Sequence, residues 1–175
     1  WHGGPLEALG EGLGLPPGEV RALARDARGA TWIAGEQGVW RHLDGRLDRM
    51  RGERAEGLLV DRGGAVWVAA TDGMVLRYWE GRWDQLGRGE GVVGYATGAL
   101  FEDREGLLWF GTTHGLFRIA DGPVRGIVRQ PGLPSDYVRS VMQTADGTVW
   151  VGHAAGLSRL GPGGFQSLFP APGQA

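Results

Sequence analysis

The chain has 175 residues, with 20 acidic against 18 basic side chains, a formal net charge of −2, 34 glycines and no cysteine. Every basic residue is arginine and neither Lys nor Asn occurs, which excludes a Schiff-base or phosphate-loop lysine, an N-glycosylation site and a cysteine-based zinc centre. Near-neutral charge leaves no basic footprint for nucleic acid. No apolar run reaches the ~18 residues of a membrane-spanning helix, and no signal peptide is recognisable.

One phrase organises the chain: Asp-x-x-Gly-x-x-Trp or a near variant, with a further Gly six residues after the Trp. The anchors are Gly29/Trp32/Gly38, Gly64/Trp67/Gly73, Gly106/Trp109/Gly115 and Gly147/Trp150/Gly156, and the steps between tryptophans are 35, 42 and 41 residues. A period near 40 calls for one supersecondary unit per repeat and an array of such units.

In chain order, residues 1–13 read as the last strand of a preceding unit, and four units follow at about 14–50, 51–87, 88–128 and 129–169. The first strand of each pairs a branched aliphatic residue with a small neighbour: Leu23 with Ala22, Leu58 with Gly57, Leu100 with Ala99, Val141 with Ser140. Neighbours on a strand point to opposite faces. A tight hairpin follows at Asp26–Gly29, Asp61–Gly64 and Asp103–Gly106, where an Asp bonds the following backbone and a Gly takes positive φ. The fourth hairpin has Thr144 in place of Asp and is expected to use Asp146 instead, before Gly147. The second strand carries the Trp between β-favouring residues. Third strands begin near Gly38, Gly73, Gly115 and Gly156, and fourth strands follow turns at Asp44-Gly45, Glu80-Gly81, Asp121-Gly122 and Gly163-Gly164.

Four short antiparallel strands every 40 residues or so make an all-β chain, a β-propeller with about four four-stranded blades, read as a segment of a larger propeller. Trp32, Trp67, Trp109 and Trp150 are expected at equivalent, largely buried positions, and Gly29, Gly64, Gly106 and Gly147 at positive φ. Four blades leave closure open: an open arc, a tight ring of four, or two copies completing a ring of eight.

Catalytic chemistry is hard to find in this pattern. His2, His42, His114 and His153 lack ligand spacing, so no metal and no cofactor is expected. No nucleophile elbow occurs, and Asp26, Asp61 and Asp103 recur in register as turn formers. The recurring Arg41, Arg77, Arg118 and Arg159 are expected to hold loop carbonyls or turn carboxylates. Binding is expected on one rim, where the loops 12–19, 51–56, 88–96 and 129–137 gather with the hairpins 35–37, 70–72, 112–114 and 153–155. Tyr95, His114, Tyr137 and His153 are the aromatic and imidazole groups that the register places there, suited to a small polar ligand or an oligosaccharide. Trp79 and Trp83 lie toward the outer edge and are expected to pack.

The segments Leu15-Pro16-Pro17-Gly18-Glu19-Val20-Arg21 and Leu133-Pro134-Ser135-Asp136-Tyr137-Val138-Arg139, each followed by the turn, the Trp and Gly-Leu/Val-x-Arg, resemble the two-component regulator propeller repeat. The resemblance runs over about residues 14–169, with the Leu-Pro lead-in missing from repeat two. It implies the sensory part of a bacterial membrane receptor, commonly a hybrid histidine kinase and sometimes a diguanylate cyclase. On that reading the chain is a periplasmic, ligand-sensing, non-catalytic segment whose output domain belongs to the same polypeptide, with a homo-oligomer as one way to complete the ring. The other readings are a passive protein-interaction scaffold and a carbohydrate-active propeller enzyme. The turns are similar to the Asp box of sialidases, but here the Asp stands six residues before the aromatic instead of five.

Overall fold

The structure is a computed structural model that describes residues 12–87, 89, 91–119, 125–127 and 133–168. The strand expected within residues 1–13 falls almost wholly outside this range. The first sheet comprises β1 (Val20–Arg25), β2 (Thr31–Gly35), β3 (Gly38–Leu43) and β4 (Arg46–Arg51). The second has β5 (Ala55–Val60), β6 (Val66–Ala70), β7 (Val75–Trp79) and β8 (Arg82–Leu86). The third has β9 (Ala96–Glu102), β10 (Leu108–Thr112), β11 (Gly115–Ile119) and β12 (Arg125–Ile127), and the fourth β13 (Val138–Gln143), β14 (Val149–His153), β15 (Gly156–Gly161) and β16 (Gly164–Ser167). Each is a separate antiparallel meander with its strands in chain order, a blade.

The hairpin between the first two strands is the same in all four blades. The carbonyls of Asp26, Asp61, Asp103 and Thr144 accept the N–H of Gly29, Gly64, Gly106 and Gly147 at 2.9, 2.9, 3.1 and 2.9 Å. Those glycines have φ of 86, 88, 79 and 89°, the left-handed region that a side chain resists. Repeat four therefore keeps the backbone turn and alters only its side chains. Thr144 Oγ1 accepts from Trp150 Nε1 at 3.2 Å and donates to Asp146 Oδ1 at 2.6 Å, while Asp146 takes the Thr148 N–H at 3.0 Å.

Pairing register sorts each blade into two faces. Trp32, Trp67, Trp109 and Trp150 lie opposite Arg41, Arg77, Arg118 and Arg159 on the third strand. The other face carries Ile33, Val68, Phe110 and Val151, opposite Trp40, Leu76, Phe117 and Ser158. Blades stack Trp face onto branched face. Trp32 and Ala34 pack with Val66, Val68 and Leu76; Trp67 and Val75 with Leu108, Phe110 and Phe117; Trp109 and Leu116 with Val138, Val149 and Val151. The core is thus three inter-blade layers, and a blade alone buries nothing sizeable.

Innermost strands neighbour one another in series, β1 beside β5, β5 beside β9 and β9 beside β13. At this axis the backbones meet: a Cβ on Gly57 would stand 2.6 Å from Gly98 O and 2.9 Å from Gly98 Cα. That contact is the reason position 57 holds Gly. Among the described residues the arc is open at both ends: Leu23 on the branched face of blade 1 is 65% exposed and Met142 on the Trp face of blade 4 is 53% exposed. Trp32, Trp67 and Trp109 are buried at 1, 8 and 2%, but Trp150 is only half-buried. Trp150 holds the equivalent register position opposite Arg159 but is less buried than the other three, because among the described residues no following blade lies against its face.

Candidate rim site

The repeated carboxylates are structural acceptors. The indole N–H groups of Trp32, Trp67 and Trp109 donate to Asp26, Asp61 and Asp103 Oδ2 at 2.9, 2.7 and 2.6 Å. The Oδ1 atoms accept the backbone N–H groups of Ala30, Ala65 and Leu107 at 2.9, 2.8 and 2.8 Å. Burial pushes the Asp26 carboxyl up, but the Trp32 indole, the amides of Ala30 and Arg28 and the charge of Arg41 together hold it below its ordinary value. The arginines expected to hold loop carbonyls or turn carboxylates lie over the same tryptophans, and Arg41 also acts through its charge on the turn carboxylate of Asp26. Arg41, Arg77 and Arg118 lie 5.9, 5.5 and 5.7 Å from the ring centroids of Trp32, Trp67 and Trp109. Arg159 donates to Gln166 Oε1 at 3.3 and 3.2 Å instead.

On the rim where first strands begin, four residues occupy one repeat position. The carbonyls of Glu19, Arg54, Tyr95 and Tyr137 accept the N–H of Glu36, Thr71, Thr113 and Ala154 at 2.9, 3.1, 2.9 and 3.0 Å. Each loop is thereby tied to the hairpin between second and third strands of its blade. Tyr95 is 61% exposed and Tyr137 40% exposed, on adjacent blades. The Arg139 guanidinium stands 4.9 Å from the Tyr137 ring centroid. His114 is exposed beside Tyr95, its Nδ1 2.9 Å from Thr113 Oγ1, and that hydroxyl accepts the Tyr95 N–H at 3.1 Å. Arg88 and Arg129, at the start of two of these loops, lie outside the described residues.

His153 sits differently. It ends β14, is 5% exposed, and both ring nitrogens are engaged: Nδ1 accepts the Ala155 N–H at 3.2 Å and Nε2 lies 2.9 Å from Ser158 Oγ. With Nδ1 an acceptor, Nε2 carries the proton and donates to Ser158. Burial holds this imidazole below its ordinary value, so it is neutral.

Blades 1 and 2 present an ion network on the same rim, which sequence reading missed. Arg21 bonds Glu56 at 2.6 Å and Glu19 at 2.8 Å, Arg54 reaches Glu56 at 3.1 Å, and Thr71 Oγ1 donates to Glu56 Oε1 at 3.0 Å. Arg21, Glu56 and Arg139 each fall where the pairing of the first strand shifts by one residue. A bulge re-aims its side chain, a local event that no residue pattern announces. Among the described residues no group of three or more His, Asp or Glu could hold a metal ion.

Four meanders stacked around a common axis define the class: the chain is an arc of a β-propeller. Residues 92–114 and 132–155 match the two component regulator propeller model. No curated protein matches the chain by sequence. Among solved structures it is similar to the extracellular domains of two hybrid two-component systems from B. thetaiotaomicron. One is 22% identical with a TM-score of 0.75 over 89% of this chain, the other 20% identical with 0.72 over 90%. It is similar also to virginiamycin B lyase from Staphylococcus aureus, 17% identical with a TM-score of 0.68 over 87% of this chain. The chain spans 23 and 22% of the two receptor domains and 57% of the lyase. At these identities the likeness defines the fold, which receptor domains and an enzyme share.

Proposed function

We propose that this chain is an arc of the extracytoplasmic sensing propeller of a bacterial two-component-type receptor, without catalytic activity of its own. Its setting would be the periplasm, with an output domain on the same polypeptide. The ligand, a small polar molecule or an oligosaccharide, meets the rim at Tyr95, His114 and Tyr137, with His153 behind them positioning the hairpin 153–155. The observation that carries this reading is the pair of exposed tyrosines at one repeat position of adjacent blades, each tied by its own carbonyl to a hairpin. Exposed aromatic rings on rigid mounts cost little entropy to bury, and they accept the apolar face of a sugar while nearby polar groups orient it. The non-catalytic reading draws support from the repeat carboxylates, whose oxygens are taken by indole and backbone N–H groups and are not free for acid–base work. A thermal-shift screen of sugars and small anions tests it, comparing the natural chain with the Tyr137→Ala/His114→Ala pair. Stabilisation that the pair loses supports the rim site, and stabilisation undiminished in the pair refutes it. Turnover of a stabilising glycan by the isolated chain would refute the sensing role.

A further inference from the structure

On the opposite rim the turns between first and second strands stand in a row, and at two of the three seams an arginine bridges them. Arg62, the residue after Asp61, donates from Nη1 to Arg104 O at 3.0 Å and from Nη2 to Asp103 O at 2.5 Å, while its own N–H donates to Glu102 Oε2 at 2.8 Å. Arg104, the residue after Asp103, repeats the arrangement one blade on. Its Nη1 donates to Ala145 O at 2.7 Å and its N–H to Gln143 Oε1 at 3.0 Å. At the seam between blades 1 and 2 the same two positions hold Ala27 and Val60. Neither of these two positions supplies a guanidinium or a polar acceptor, and beside them a cleft of about 550 Å³ opens, lined among others by Ala27, Arg28, Gly63, Gly64, Trp79 and Glu80.

The chemistry that would fill this place can be read from its neighbours. The carbonyls corresponding to Asp103 and Arg104 are those of Asp61 and Arg62, on a turn of the same form: Gly64 N–H to Asp61 O at 2.9 Å against Gly106 N–H to Asp103 O at 3.1 Å. Beside them Trp79 is 37% exposed and already accepts the Arg77 guanidinium at 5.8 Å from its ring, and Glu80 is an exposed carboxylate. Of the two cations in the lining, Arg41 is committed to Trp32 at 5.9 Å and Arg28 projects from an exposed turn. We propose that this seam binds a guanidinium-bearing ligand in the place that Arg62 and Arg104 fill in the next two seams. The proposal is independent of the rim site on the other side.

The test is a titration of the 175-residue chain, followed by NMR, with methylguanidine, with a capped Ala-Arg-Ala peptide and with its Lys counterpart. Saturable binding of the guanidino probes is expected, with the Lys peptide roughly tenfold weaker because a compact ammonium cannot span two carbonyls as a planar fork does. Ala27→Arg supplies the bridge from within, so it should abolish binding and raise the melting temperature. Trp79→Ala should weaken binding, Arg28→Ala should strengthen it, and Tyr137→Ala/His114→Ala should leave it unchanged. A peptide that binds much more tightly than methylguanidine identifies an arginine side chain on a partner, and equal binding identifies a free guanidino compound. Absence of saturation, equal affinity for the Lys peptide, or undiminished binding by Ala27→Arg overturns the proposal. Should Ala27→Arg not fold, undiminished binding by Trp79→Ala overturns it.

Discussion

Replacing Asp103 by Ala removes the acceptor of three donors at once: Trp109 Nε1 at 2.6 Å, Leu107 N at 2.8 Å and Glu105 N at 3.1 Å. Both Asp103 and Trp109 are 2% exposed, so water cannot take over at the indole, while Leu107 is half-buried. Each buried donor left without a partner costs about 1–3 kcal/mol, while Glu105 on its exposed turn is resolvated. With the indole fully buried and Leu107 half-buried, the expected loss is about 2–4 kcal/mol. Asp26→Ala removes the same set of bonds, but Asp26 and Trp32 border the cleft between blades 1 and 2 and their indole bond is only part-buried, so about 1–2 kcal/mol is expected. Urea unfolding followed by tryptophan fluorescence measures both. Asp103→Ala within about 1 kcal/mol of the natural chain, or Asp26→Ala equally costly, would refute the account of the repeat.

Trp109→Ala should cost about 3–5 kcal/mol, and Trp150→Ala clearly less, because its face is uncovered; equal losses in the same unfolding assay would contradict the open arc. Gly106→Ala should cost about 1–2 kcal/mol from φ alone, since the added Cβ meets nothing nearer than Glu102 Oε1 at 4.0 Å. Gly57→Ala collides with the backbone of Gly98 and should cost about 2–3 kcal/mol; calorimetry of the two variants gives the order. His153 has a lowered folded value, so the unfolded chain binds its proton first as pH falls. Its contribution is full above the ordinary 6.5 and is lost as pH drops from there through the folded value. A His153→Gln variant should therefore show a flatter melting-temperature profile between about pH 7 and 5.5, and an unchanged slope would contradict the buried neutral imidazole.

Periodicity made the fold legible, because the spacing of Asp, Gly and Trp is the spacing of one hairpin and each residue of the phrase has a role within it. The Asp reads locally as a turn former, and its second role as indole acceptor follows from the same constant six-residue offset. What lies between blades is much less legible. Arg62 and Arg104 reach carbonyls 41 or 42 residues away, and only the curvature of the arc says which neighbour they meet. Arg41, Arg77 and Arg118 recur visibly, but whether they face a carbonyl or a ring depends on strand register. His153 looked like a loop residue from its Gly-His-Ala-Ala-Gly setting. The same position holds Gly35, Ala70 and Thr112 in the other blades, all buried, and that column was the signal. Trp150 differs from its counterparts in bonding Thr144 where they bond an Asp, which the sequence displays, and in having no blade over its face among the described residues, which no residue near it encodes.

Ligand binding without turnover is the central claim, and one experiment bears on it most directly. The chain is incubated with each sugar or small anion that shifts its melting temperature, and the same mixture is analysed for products. A ligand at a hundred times its dissociation constant should stabilise the fold by about 2.7 kcal/mol, should lose that effect in Tyr137→Ala/His114→Ala, and should be recovered chemically intact. Stabilisation unaffected by the double substitution, or a ligand recovered cleaved, would contradict the account.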